Sequence, residues 1–196
     1  KANDRVFFCT CGVGFDAAVS QKFAEEKRRG SLTYIKNTVA EYLSYKPEPY
    51  ELLVDNQTIK EKAFLVACAN ASQYGNNAFI APHANIQDGR MDLTILSPFT
   101  PLDIAPLAIQ LFTKQIDRNS KIKTMKAQQV TIIRQNPGVM HLDGEPVMAD
   151  SRIDISIMPQ SLHVVTPEVV SFTEEVHNLF GEVTRFFDKK LPYIFR

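Results

Sequence analysis

Asp143-Gly144, set between short runs rich in Val, Met and Leu, constrains the fold of this chain more than any other feature. Asp and Gly both tolerate positive φ, so this pair between apolar segments specifies a tight hairpin and hence antiparallel strands. The turn also gathers the carboxylates of Asp143 and Glu145 at one protruding edge, where they could take a proton from a substrate hydroxyl. On these residues alone the pentapeptide Leu142-Asp143-Gly144-Glu145-Pro146 is either a plain hairpin tip or an acidic working edge.

Much of the chain has the same strand texture. Residues 51–55 and 57–62 read as a hairpin around Asp55-Asn56. Residues 64–69 are uninterruptedly apolar, as in a central strand covered on both faces. Residues 91–96 alternate Met91, Leu93 and Ile95 with Asp92 and Thr94, and residues 121–134 and 139–167 return to strand patterning. The cleanest alternation is Ile153, Ile155 and Ile157 against Asp154 and Ser156. Helices interrupt this pattern. A strand over residues 6–11 runs through Gly12-Val13-Gly14 into a helix from Asp16 to about Arg29, and a second helix covers about residues 31–44. Thr100, Pro101 and Asp103 supply the N-cap, first-turn proline and acidic third position of a helix to about Gln115, kinked at Pro106. That helix is apolar nearly all round, which predicts burial or a place beside an apolar cavity. Together these elements predict a mainly β, sandwich-like domain with a few inserted helices. From Glu168 the period becomes helical again, with Phe172, Val176, Leu179, Val183 and Phe187 on one stripe.

Charge and cysteine usage narrow the function classes. With 22 basic and 22 acidic residues, no global charge draws the chain to nucleic acid. No run of about 20 apolar residues could span a bilayer, and no signal-like segment opens the sequence, so an intracellular location is expected. Cys9, Cys11 and Cys68 cannot all pair with one another, and Cys9 and Cys11, two apart on the first strand, should share a face as small hydrophobes. The four histidines are scattered and supply no ligand pair.

Two further loops carry candidate chemistry. Gly12-Val13-Gly14-Phe15-Asp16-Ala17 fits the loose dinucleotide fingerprint between a strand and a helix, but it lacks the following parallel strand and its acidic end. The alternative is a glycine turn that permits close packing. The loop from Ala81-Pro82 to Asp88-Gly89-Arg90-Met91-Asp92 is either another Asp-Gly turn or a hard-cation site built on a carboxylate and backbone carbonyls.

Read in order, Gly12-Val13-Gly14-Phe15-Asp16, Ala69-Asn70-Ala71-Ser72-Gln73-Tyr74-Gly75, Ala81-Pro82 through Asp92, Leu142 to Pro146 and Leu162-His163-Val164-Val165-Thr166-Pro167 form a series. The series, covering about residues 4–167, resembles the C-terminal domain of the diacylglycerol kinase, sphingosine kinase and bacterial lipid kinase family. The resemblance implies the β-sandwich of the NAD kinase/diacylglycerol kinase-like fold over residues 1–167. It implies an ATP-dependent lipid kinase whose proton acceptor is Glu145, with Asp143 assisting it or holding metal-bound water. It also implies Mg2+ on the Asp88 carboxylate, with Asn85 and Arg90 contributing backbone carbonyls, although Arg90 replaces the family's usual apolar residue. ATP would sit mostly in a separate N-terminal domain bearing a Gly-Gly-Asp-Gly-Thr loop, which this sequence does not contain. The expected partners are that domain and a lipid at a membrane surface, with a cytoplasmic, peripheral location. Residues 168–196 are expected to form a helical tail that docks on the N-terminal domain or pairs two copies. The helix after Thr100, with Phe79 and Phe99, is the candidate acyl-chain contact. A non-catalytic lipid-binding module and a dinucleotide-binding protein using residues 12–17 remain as alternatives.

Overall fold

The computed structural model describes residues 1–25, 42 and 44–165. Among the described residues ten strands form two sheets: β1 (Thr10–Gly14), β2 (Glu48–Val54), β3 (Gln57–Ala63), β4 (Leu65–Ala69), β5 (Met91–Leu96), β6 (Ile122–Ala127), β7 (Gln129–Arg134), β8 (Gly138–Leu142), β9 (Glu145–Ala149) and β10 (Arg152–Ser156). The six-stranded sheet runs β6-β5-β4-β1-β8-β9 and the four-stranded sheet β10-β7-β2-β3. Every strand pairing among the described residues is antiparallel. This is the mainly β sandwich that the hairpin signals predict.

One core lies between the sheets. Leu52, Ile132, Ile153 and Ile155 from the smaller sheet meet Cys11, Val13, Val66, Leu93, Ile95 and Met140 from the larger one. The alternation at Ile153 and Ile155 is therefore a true in-out pattern. A second core covers the opposite face of the larger sheet, where Leu65, Ala67, Ala69 and Leu96 pack with Ile80, Leu107 and Ile116. With both faces covered, β4 is buried throughout, as its unbroken apolar run predicts.

β5 departs from its pattern for the same reason. Its polar positions face the second core instead of water. Thr94 is fully buried and donates its hydroxyl to the Ile80 carbonyl at 3.0 Å, and Asp92 is buried against Lys126. The first strand starts at Thr10, later than expected, which leaves Cys9 exposed while Cys11 is buried opposite Cys68. Burial, then the Cys68 hydrogen bond, pushes the Cys11 thiol well above its ordinary range, so it behaves as a small hydrophobe.

Helix α1 (Phe15–Glu25) follows β1 directly. The expected continuation to Arg29 and most of the 31–44 helix lie outside the described residues, as does the tail from residue 168. The helix expected after Thr100 is a 3-10 turn (Pro101–Asp103) followed by α2 (Ile104–Phe112). Pro106 lies in the first turn of α2, where a backbone N–H has no intrahelical acceptor to lose, so the expected kink has no cause. Nor is α2 buried: Leu107 packs into the second core, while Ile109 and Phe112 are exposed.

Arg134, at the end of β7, ties the two sheets together. Its guanidinium donates to the carbonyls of Val139 (3.0 Å), Gly138 (2.6 Å) and Ala149 (2.9 Å), gripping the open end of the β8–β9 hairpin. The other end of that hairpin is the Asp143-Gly144 turn.

Candidate functional site

Leu142 pairs with Glu145 across a two-residue turn in which Asp143 (φ 51°) and Gly144 (φ 88°) both adopt positive φ. This is the geometry required of a hairpin that follows the twist of its strands. The turn is clamped. Asp143 Oδ2 accepts the Phe8 amide at 2.8 Å, and Oδ1 accepts those of Cys9 (2.7 Å) and Thr10 (2.9 Å). In return the Asp143 amide donates to the Thr10 carbonyl at 2.8 Å. Asn70 secures the same segment by donating its side-chain amide to the Phe8 carbonyl.

The carboxylate of Asp143 thus anchors the chain entering β1. The first sheet has a counterpart in the second. Asp55, also at positive φ in a two-residue turn, donates its amide to the Gln129 carbonyl and accepts the amides of Gln128 and Gln129 on its carboxylate. The same clamp at a turn with no candidate chemistry identifies it as a device for fixing hairpin tips.

Beneath the turn lies a buried polar pair that sequence reading passes over. His141 Nε2 is 3.1 Å from Asp16 Oδ2, with side-chain exposures of 2% and 9%. Tyr74 donates its hydroxyl to the same oxygen at 2.9 Å, and Asp16 Oδ1 accepts the Ala17 amide at 2.8 Å. The Gly144 amide points at His141 Nδ1 from 3.4 Å. That pattern assigns the proton to Nε2 and leaves Nδ1 as the acceptor under the turn. Asp16 and His141 are 125 positions apart, and no spacing rule connects them.

This arrangement also decides the Gly12–Gly14 turn. A Cβ on Gly12 would collide with the Asp16 carboxylate and come 2.9 Å from His141 Nε2, and one on Gly14 would come 2.7 Å from the Phe64 carbonyl. The Phe15 amide already donates to Phe64 and the Ala17 amide to Asp16. A phosphate would find those amides engaged and a carboxylate facing it. With no parallel strand pair among the described residues, the dinucleotide reading of residues 12–17 loses both its scaffold and its donors.

Glu145 is the first residue of β9, on an edge strand, and is exposed. Among the described residues its carboxylate makes no hydrogen bond or ion pair, in contrast to Asp143. Strand register places other loops at the same end of the larger sheet: Lys126 is opposite Asp92, Asp92 opposite Ala69, and Ala69 opposite Thr10. The Asp88 loop, the Asn70 loop and the Glu145 turn therefore share one end of the sandwich.

The Asp88 loop does not fit the cation site expected of Asp88, Asn85 and Arg90. Asp88 Oδ1 accepts the Arg90 amide at 2.9 Å, and Oδ2 lies 2.6 Å from Lys126 Nζ. The Asn85 carbonyl receives the Asp88 amide at 3.3 Å. Hydrogen bonding to Lys126 is the main reason the Asp88 carboxyl is held below its ordinary range, with the Arg90 amide adding to it. Mg2+ demands an octahedron of oxygens at about 2.1 Å, and here an ammonium already holds that carboxylate. Two of the suggested acyl contacts are engaged within the domain: Phe99 stacks on Tyr42 and meets Phe64 edge-on, and Phe79 lies under the Lys114 ammonium at 4.5 Å.

Comparison with known proteins agrees with this architecture. The family model described as the YegS C-terminal NAD kinase beta sandwich-like domain matches residues 9–166. The "probable lipid kinase YegS-like" protein of Shewanella frigidimarina is 25% identical over 169 residues, covering 85% of this chain and 54% of that protein. A diacylglycerol kinase of Mycobacterium tuberculosis is 26% identical over 171 residues, covering 84% and 53%. The crystal structure of a diacylglycerol kinase from Bacillus anthracis shares the fold with a TM-score of 0.61 at 19% identity, covering 87% of this chain and 56% of that one. The chain spans about half the length of these relatives.

Proposed function

The chain belongs to the YegS C-terminal NAD kinase beta sandwich-like domain family, and we propose that it is the acceptor-binding, base-bearing half of an ATP-dependent lipid kinase. The observation that carries this reading is Glu145: an exposed carboxylate, unengaged among the described residues, on a hairpin whose tip is clamped by Asp143 and whose far end is gripped by Arg134. A base must be free to accept a proton and must be held where the proton is. Glu145 is unengaged among the described residues and stands on a hairpin fixed at both ends, whereas three amides engage the Asp143 carboxylate, which supports Glu145 as the base.

In this reading the hydroxyl of a lipid approaches the Glu145 end of the larger sheet. Glu145 orients the hydroxyl and takes its proton as the hydroxyl oxygen bonds to the γ-phosphorus, and the bond from that phosphorus to the β-bridging oxygen breaks. ATP with its Mg2+ supplies the phosphoryl group and neutralises its charge, from an N-terminal ATP-binding domain that this half requires as its partner. The lipid sits at a membrane surface and the protein is peripheral to it. No helix among the described residues is long and apolar enough to cross a membrane. A domain of residues 1–167 with a tail, 168–196, that packs on the N-terminal domain or on a second copy completes the proposal.

In the protein that carries both halves, Glu145→Gln should lower kcat for ATP-dependent phosphorylation of a lipid alcohol by about 10²–10⁴-fold, with KM for ATP little changed. Diacylglycerol, a sphingoid base, phosphatidylglycerol and undecaprenol in mixed micelles are the panel to assay. Unchanged turnover in the variant removes Glu145 from the mechanism. The exposed Ile109 and Phe112 of α2 favour a second reading, a lipid-binding module without catalysis. Lipid binding with no phosphoryl transfer to any of the four, when both halves are present, would select it.

A further inference from the structure

Lys126 sits where its three N–H donors meet three oxygens. Its Nζ is 2.6 Å from Asp88 Oδ2, 3.1 Å from Asp92 Oδ2 and 3.3 Å from the His83 carbonyl. An ammonium has three donors and no acceptor, so this set uses its whole capacity. The oxygens come from two places in the chain: Asp92 from β5, and His83 and Asp88 from the loop before it. Asp92 is 8% exposed and faces Lys126 directly across the β5–β6 pairing. Asp88 closes the loop on itself by accepting the Arg90 amide.

We propose that the Lys126 ammonium is the built-in cation of the 81–92 loop, doing by covalent attachment what a divalent metal would otherwise do there. Two carboxylates this close to one another need a cation between them, and a loop that curls around oxygen ligands needs something to curl around. Lys126 satisfies both needs with one charge fixed to β6. A metal entering the same oxygens would have to displace the ammonium and then sit beside it and beside Arg90, against like-charge repulsion. The physical consequence is a loop whose order does not depend on metal concentration. The inference stands on this loop alone and is independent of the kinase reading.

The test reads stability and binding in the full chain. Wild-type protein should melt at the same temperature in EDTA and in 10 mM Mg2+, and Mn2+ titrated against it should show no bound fraction by electron paramagnetic resonance. Lys126→Met should lower Tm in EDTA by about 4–8 °C and regain at least half of that loss in 10 mM Mg2+, because the freed carboxylates then take the metal. Lys126→Arg keeps the charge and should remain insensitive to metal. A wild-type Tm that rises with Mg2+, or stoichiometric Mn2+ binding to wild type, overturns the proposal. So does a Lys126→Met protein that melts like wild type in EDTA, or that gains nothing from Mg2+. If Lys126→Met does not fold in EDTA, its folding on addition of Mg2+ supports the proposal and its failure to do so overturns it.

Discussion

The two acidic residues flanking Gly144 have separate tasks, and the difference is one of hydrogen-bond accounting. Asp143 accepts three backbone amides and serves as an anchor, whereas Glu145 accepts none among the described residues. Hydrogen bonds to a charged group contribute about 1.5–3 kcal/mol each in favourable cases, but neighbouring bonds do not add and the site is open to water. Asp143→Ala should therefore destabilise the chain by roughly 2–4 kcal/mol in urea denaturation. Asp55→Ala, which removes the equivalent clamp in the other sheet, should behave similarly though less severely. A loss under about 0.5 kcal/mol for Asp143→Ala would mean that the clamp is not what holds the turn. Sequence reading identified the turn and its positive φ from Asp-Gly alone. It could not assign the acids, because the amides that occupy Asp143 are about 135 positions away.

Among the elements, the β8–β9 hairpin is fixed at both ends, and its open end rests on a single cation. Arg134 is buried, and its guanidinium serves three carbonyls at once. Replacing it by Leu strips those carbonyls of their partner, and a cost of about 3–5 kcal/mol with loosening of the Glu145 strand is expected from denaturation and amide exchange. Protection of the β9 amides equal to wild type would show that the hairpin does not depend on the grip. The helix after Thr100 offers the opposite case. Its capping pair was readable: Asp103 accepts both the amide and the hydroxyl of Thr100 at 2.8 Å. Its kink was misread, because a proline in the first turn and one mid-helix look alike until the true start, Ile104, is known. Pro106→Ala should change stability by less than about 1 kcal/mol; a gain near 3 kcal/mol would place the proline inside the hydrogen-bonded helix after all.

For the molecule as a whole, acid sensitivity follows from carboxylates that the fold holds in their charged form. Asp88, Asp103 and Asp154 lie below the ordinary 3.8, chiefly through hydrogen bonds from Lys126, from the Thr100 amide and hydroxyl, and from Thr131 and Arg152. A depressed folded-state pKa contributes stability that is present above the unfolded value of 3.8 and is lost as pH falls through the folded one. The urea midpoint should thus hold steady from pH 7 to about 5 and fall below pH 4, less steeply in Asp103→Asn/Asp154→Asn. Identical acid limbs in the variant and wild type would exclude these groups.

Across these scales, the sequence by itself determined what depends on near neighbours: the hairpins at Asp55-Asn56 and Asp143-Gly144, the buried run of β4, the in-out isoleucines of β10, and the ordered motif series that marks the family. Each is a statement about φ or side-chain period within a few residues. Only the tertiary structure decided what depends on partners distant in sequence. It buried the polar alternates of β5 by covering both faces of the larger sheet, joined Asp16 to His141 under the turn, engaged Asp143 with the amides of residues 8–10, and set Lys126 among the Asp88 oxygens. A carboxylate's chemistry depends on which donors reach it. Those donors are delivered by strand order and register, which no local pattern encodes.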